Sequence, residues 1–391
     1  MLTLLRLPCA ALLLALTLLP RAALASAEPT PIERVRAEIA RLQTLPPAAQ
    51  TQLDGKRALK EGLRGPDVAS LRKRLRELGY PAAPGDEFDA AITLAVRDYQ
   101  REQGLKEDGV VDRQTRYNLN LDTARKLALL QWQLPQMEAI ASAGGERHVV
   151  VNIPAFMLTA YEAGRPVLGS RVVIGRPDRQ TPLLATRLVA LQFNPSWTAP
   201  PTVIRKDLTR DGRLDTGKLR EKRLQMLDAD GAVVDPEQVA ADPDANLLAY
   251  RYYQQPGERN ALGRLKFVLT GSNGIYLHDT PQKSGFERET RAASSGCVRV
   301  QHWQALAGWV AQTSPEEIGA RVASGRSRYL PLAEPVKVYL VYWPAEVEDG
   351  KLRWRDDIYG RYLREEGVNA IARHSPPRQL AGQARKAPGG L

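Results

Sequence analysis

Ala292-Ala293-Ser294-Ser295-Gly296-Cys297-Val298-Arg299-Val300 surrounds one of only two cysteines in a chain of 391 residues. The other, Cys9, lies in the stretch from Met1 to about Ala25, which has a basic residue at Arg6, an apolar run from Leu7 to Leu19, and small residues at Ala23, Ala25 and Ala27. That run is short for a bilayer span and reads as a cleaved secretory signal. Its removal leaves Cys297 in an oxidising compartment with no partner in its own chain. It is then a buried passenger, an intermolecular link or a reactive thiol. The short polar loop of Ser294, Ser295 and Gly296 favours the third, since inert cysteines sit among apolar walls.

Working outward, Trp303, Leu306, Trp309 and Val310 recur at helical spacing and predict a helix from roughly Gln301 to Gln312. This sets Cys297 just ahead of a helix N-terminus, where unpaired N–H groups favour a thiolate. Arg299 adds a positive charge two residues on. His278, one of four histidines, ends the strand-like Gly274-Ile275-Tyr276-Leu277 and precedes Asp279. A thiol that attacks a carbonyl needs such a base, first to take its proton and then to protonate the leaving amine.

Fifteen residues separate His278 from Ser294, and Ser-Ser-Gly-Cys-Val-Arg follows. This pattern resembles the signature of the YkuD-type L,D-transpeptidase catalytic domain. Ser295 stands where a histidine is usual, as it does in large members related to YcbB. The resemblance extends to Val151–Phe156, Val172–Pro182, Phe193–Trp197, Asn260–Phe267 and Tyr276–Pro281, and so covers most of His148 to Tyr359 apart from one insertion. It implies an α+β protein with a mostly β catalytic sandwich and a helical cap. It also implies a peptidoglycan L,D-transpeptidase that needs no cofactor. Cys297 attacks the third residue of a stem tetrapeptide and expels D-alanine, and the thioester passes to an amine of a second stem as a 3→3 cross-link. His278 acts as base and then acid, with either the Asp279 side chain or a backbone carbonyl orienting it. Backbone N–H groups of the Ser295-Gly296-Cys297 loop hold the oxyanion. Arg299 orients a substrate carboxylate or tunes the thiolate, and Trp197 and Tyr276 line the groove. Acylation of Cys297 by carbapenems is implied as well. Two alternatives remain: a thiol hydrolase of the same fold, and a wall-anchored scaffold with a degenerate site.

A second pattern runs from Leu59 to Asn120. Val68, Leu71, Leu75 and Leu78 share one helical face, Ile92, Ala95, Val96 and Tyr99 another, and Asp108-Gly109 with Thr115 opens a third short helix. Gly62, Gly65, Gly79-Tyr80, Tyr99-Gln100, Gly104-Leu105 and Asp108-Gly109 resemble the peptidoglycan-binding module of wall enzymes. Ile92 replaces its usual threonine, and Arg72 a frequent glutamine.

Fifty-five basic residues face forty-four acidic ones. Loss of the leader with Arg6 and Arg21 still leaves a formal excess of nine, suited to anionic polymers and peripheral association with the cell wall. The basic residues are scattered among acids with no nucleic-acid motif, so no nucleic acid is expected as a partner. His148, His278, His302 and His374 have no close-set ligand spacing, so no metal is expected. The implied order is a signal over 1–25, a helical lead-in over 26–58, the wall-binding module over 59–120, and a connecting helix over 121–145 interrupted at Pro135. A catalytic domain follows over 146–345 with its cap near 200–260. A hairpin and extension over 346–372 and a disordered tail over 373–391 complete it. The expected location is the periplasm, against the wall.

Overall fold

The computed structural model describes residues 28–45, 50–143, 145–272 and 274–362. The secretory signal over 1–25 and the tail over 373–391 lie outside these residues.

Helix α1, Pro31–Gln43, starts at a capping box in which Thr30 and Glu33 each bond the other's backbone N–H. The lead-in is helical only in this part; residues 50–58 are irregular. The module contains α2, Pro66–Glu77, α3, Ala90–Gln103, and α4, Arg113–Asn120. Asp89 and Asp112 cap α3 and α4 by accepting from the N–H groups of Ile92 and Thr115. Val68, Leu71, Leu75, Phe88, Ile92, Val96 and Leu119 form a core separate from the rest of the chain. Both departures noted in the sequence are structural here. Ile92 is fully buried, and the Arg72 guanidinium donates to the carbonyls of Ala83 and Glu87 and to Asp89.

Helix α5, Thr123–Ala143, continues past Pro135, where an interruption was expected. A proline inside a helix costs about 3 kcal/mol. Burial of Leu129, Leu130, Met137 and Ile140 offsets this, at about 1.5–3 kcal/mol for each fully buried side chain.

The larger, mostly β body opens with β1, Arg147–Asn152, β2, Met157–Glu162, β3, Arg165–Gly175, and β4, Leu184–Phe193. The insertion then contributes β5, Trp197–Thr198, α6, Pro201–Asp207, β6, Thr209–Arg210, β7, Arg213–Leu214, α7, Thr216–Glu221, β8, Gln225–Leu227, α8, Pro236–Ala241, and β9, Arg251–Gln254. The cap is therefore not simply helical. A three-stranded sheet in the order β5-β9-β8 runs through it, and Ile204, Leu208, Leu219, Met226 and Tyr252 give it a core of its own.

The chain returns as β10, Leu265–Leu269, β11, Leu277–His278, β12, Ala292–Ser294, and β13, Val298–Val300. Helices α9, Trp303–Ala311, and α10, Pro315–Ala323, precede the long β14, Arg328–Val341. The β-sandwich is built as one continuous sheet in the order β12-β3-β13-β11-β10-β4-β14-β1-β2, closed on itself by pairing of β2 with β3. The hairpin β15, Ala345–Glu348, and β16, Lys351–Trp354, turns at Asp349-Gly350, both left-handed with φ of 48° and 71°. The module leans on this end of the chain: Arg113 pairs with Asp356 at 2.6 Å, and the Gln114 amide donates to the Trp354 carbonyl at 2.8 Å.

Candidate active site

Two strand pairings assemble the site. Strands β11 and β13 run parallel with His278 opposite Arg299 and Leu277 opposite Val298. Strands β10 and β11 run antiparallel with Lys266 opposite His278 and Phe267 opposite Leu277. Side chains alternate along a strand. Leu277, Val298 and Phe267 therefore point into the core, where all three are fully buried. Lys266, His278 and Arg299 take the other face, as do Tyr276 and Cys297 at the next positions along the two strands. That face opens into a cavity of about 780 Å³, closed on one side by Trp197, Val203, Asp207 and Arg223 of the insertion. Cys297, His278, Arg299, Tyr276, Trp197 and Ser295 all line it.

The immediate surroundings of Cys297 differ from the expected helix N-terminus. Val298-Arg299-Val300 is a strand, and α9 begins only at Trp303, so Cys297 does not sit at the N-terminus of α9. Burial pushes the Cys297 thiol above its ordinary pKa, against the opposing pull of hydrogen bonds from Tyr276 and the charges of Lys266 and Arg299. The resting group is thus a neutral thiol at pH 7, donating to the Gly274 carbonyl at 3.7 Å. Alkylation of Cys297 by iodoacetamide is expected to rise with a midpoint above that of a free cysteine, and Lys266→Met should move it higher still. A midpoint below the free-cysteine value would contradict this electrostatic account.

His278 is 5% exposed. Burial first, and then the nearby Arg299 and Lys266 charges, pull its pKa down to about 3. Its Nδ1–H donates to the Asp279 carbonyl at 2.5 Å, leaving Nε2 as the lone-pair nitrogen. The Asp279 carboxylate has other partners, the Arg264 N–H at 2.9 Å and the Lys283 ammonium. The backbone carbonyl is therefore what orients the ring. Among the described residues His278 forms no hydrogen bond to Cys297, so proton transfer requires the thiol to turn away from Gly274.

In the loop itself, Gly296 has φ of 116°, and a Cβ there would sit 3.3 Å from Ile275. The Gly296 N–H donates to Ser294 Oγ, so it is not a free oxyanion donor. The Cys297 N–H has no partner among the described residues. Ser295 contributes through its side chain, which accepts from Arg179 at 2.8 Å. Arg179 is buried and also grips Asp207 of the cap with two bonds of 2.7 and 2.6 Å. This bridge joins cap to loop, and no local sequence pattern signals it.

Arg299 donates to Gln282 at 2.8 Å, its Nε is buried without a partner, and it forms no ion pair among the described residues. Lys266, the residue that sequence reading passed over, lies 4.3 Å above the Tyr276 ring and likewise has no carboxylate partner there. The only hint of its role was a lysine at an alternate position of an otherwise apolar strand. Lys266 and Arg299 are thus two half-buried cations lining the cavity, neither of them ion-paired among the described residues. Tyr276 and Trp197 both line the cavity beside Cys297.

Known proteins match both halves of this chain. The YkuD family, described as an L,D-transpeptidase catalytic domain, matches residues 146–325. A family described as "Putative peptidoglycan binding domain" matches residues 64–119. A curated relative from Haemophilus influenzae, "Putative L,D-transpeptidase", is 36% identical over 219 residues, which are 54% of this chain and 44% of the relative. The chain thus spans less than half of that relative. Among solved structures, the L,D-transpeptidase of Xylanimonas cellulosilytica is 18% identical and covers 76% of this chain and 100% of its own, with a TM-score of 0.23. That of Mycobacterium smegmatis is 15% identical over 50% of this chain and 58% of its own, with a TM-score of 0.25. Residues 146–325 are a YkuD-family L,D-transpeptidase catalytic domain, preceded over residues 64–119 by a peptidoglycan-binding domain.

Proposed function

We propose that this chain is a periplasmic, YcbB-like enzyme that forms 3→3 cross-links in peptidoglycan through a thioester on Cys297. The supporting observation is the shared face of β11 and β13, which brings a thiol, a neutral imidazole and two unpaired cations into one capped cavity. In the first half-reaction His278 Nε2 takes the thiol proton as sulfur attacks the carbonyl of the third stem residue. The oxyanion is held by the Cys297 N–H. The C–N bond then breaks, His278 returns its proton to the departing D-alanine nitrogen, and the thioester remains. In the second half-reaction an acceptor amine attacks that carbonyl, gives its proton to His278 and releases the thiol. Lys266 and Arg299 hold a stem carboxylate beside the reacting bond, while the module over 59–120 keeps the enzyme on the wall polymer.

The thioester has to be shielded from water for transfer to outrun hydrolysis, and the cap over 200–260 is the shield. Incubation with disaccharide tetrapeptide, read by mass spectrometry, should give cross-linked dimer or D-amino-acid exchange product in excess of trimmed tripeptide. Asp207→Ala, which releases the cap from Arg179, should raise the tripeptide share while total consumption of donor falls less. Tripeptide alone from the wild type, even with excess acceptor, would make the protein a hydrolase. No turnover at all would make it a scaffold.

A further inference from the structure

The catalytic-domain match ends at residue 325, yet the loop that carries Cys297 is braced by a residue well beyond it. The Tyr359 hydroxyl donates to the Gly175 carbonyl at 2.7 Å and accepts from the Thr181 N–H at 3.1 Å. The Thr181 hydroxyl accepts from the Gly175 N–H at 2.8 Å and donates to the Gly296 carbonyl at 2.8 Å. Thr181 is fully buried. The turn around it has no slack, since a Cβ on Gly175 would fall 2.2 Å from the Arg179 carbonyl oxygen.

Peptide planarity gives this bracing a consequence. In a trans peptide the C=O and the following N–H point in opposite directions. Holding the Gly296 carbonyl against Thr181 therefore aims the Cys297 N–H the other way, and that N–H has no partner among the described residues. We infer that Tyr359, acting through Thr181, is a positioning residue that aims the Cys297 N–H at the oxyanion, so that the segment after the C-terminal hairpin belongs to the catalytic unit. This inference rests on the reading of Cys297 as the nucleophile. Tyr359 is itself fixed: its ring stacks on Tyr342 with centroids 5.6 Å apart, and its N–H donates to the Tyr342 hydroxyl at 2.8 Å. That hydroxyl donates in turn to the buried Asp357 at 2.7 Å. The wall-binding module supports the same segment, because Arg113 donates to the Asp357 carbonyl at 2.8 Å.

An oxyanion donor matters to acyl transfer and not to alkylation, which develops no charge on a carbonyl oxygen. The test compares both reactions in full-length variants. Tyr359→Phe should lower kcat on soluble disaccharide tetrapeptide about tenfold, and Thr181→Val up to about a hundredfold, the lower end of what loss of one oxyanion donor costs. KM should stay near wild type, and alkylation of Cys297 by iodoacetamide should change less than about twofold in each. Thr181→Ser, which keeps the hydroxyl, should restore most of what Thr181→Val loses. A wild-type kcat in Tyr359→Phe would overturn the inference, as would equal slowing of turnover and alkylation. If Thr181→Val fails to fold, Tyr359→Phe decides alone. Cys297→Ala run alongside separates the two levels: turnover in it refutes the nucleophile, while an inactive Cys297→Ala beside an unaffected Tyr359→Phe refutes only the positioning role.

Discussion

Cys297→Ala is expected to give no cross-linked, exchanged or trimmed product while folding as the wild type does. Among the described residues the sulfur donates one weak hydrogen bond, to the Gly274 carbonyl at 3.7 Å, and otherwise has only Tyr276 beside it. The bonds that shape its loop come from other atoms: Ser294 Oγ donates to the Cys297 carbonyl at 2.6 Å, and the Val298 N–H to the Tyr276 carbonyl at 3.1 Å. No disulfide is lost, as Cys297 is free. The change in stability should stay below about 1 kcal/mol, within the range of ordinary single substitutions. Chemically nothing replaces the thiol, because alanine offers no nucleophile, and Ser295 turns its hydroxyl to Arg179. Product analysis by mass spectrometry beside a thermal melt checks both halves. The same comparison with a carbapenem should show one adduct on the wild type, mapped to Cys297, and none on the variant. Product from a well-folded Cys297→Ala would end the assignment.

His278→Ala should lower kcat by about 10²- to 10⁴-fold, the usual contribution of a positioned general base. Lys266 and Arg299 would remain, so binding of the stem carboxylate, and with it KM, should change much less. The depressed pKa of His278 adds a pH signature. With a native value of about 3, kcat/KM should show no acid limb from this imidazole between pH 7 and 5. The Cys297 thiol, raised by burial, should carry the profile upward on the alkaline side. Folding stability follows the opposite end of the scale. The unfolded chain binds a proton on His278 near its ordinary pKa of about 6.5, whereas the native ring does so only near 3. The unfolded state therefore gains protons first, and stability falls as pH drops from about 6.5 toward 3. Melting temperature against pH should flatten over that window in His278→Gln. An unchanged slope would show that the ring is not held neutral by its surroundings.

Much of this was written in local sequence. Leu265-Lys266-Phe267-Val268-Leu269 alternates and is a strand with its lysine on the polar face; Asp89 and Asp112 stand where two helices begin; Asp349-Gly350 supplies two left-handed residues to a two-residue turn. The resemblance of the His278-to-Cys297 stretch to the YkuD signature singled out the pair. Local pattern failed where the deciding partner lay far along the chain. Val298-Arg299-Val300 is too short to declare itself a strand until β11 and β3 flank it, so the helix after Cys297 looked nearer than it is. The cap strands β5, β8 and β9 have two to four residues each, below any readable period, and only their shared core with α6 and α7 fixes them. Helix α5 keeps Pro135 because tertiary burial outweighs the local penalty.

Residue chemistry and period, then, determined by sequence alone which groups this protein brings to its chemistry and which elements carry them. What only the tertiary structure decided is how those groups are held. The carbonyl on His278, the Arg179 bridge between Ser295 and Asp207, and the Tyr359 brace under Gly296 join residues from one to 184 positions apart. Hydrogen bonds between distant segments leave no periodicity in either one, because they arise from the closing of the sheet and the packing of the C-terminal segment against it.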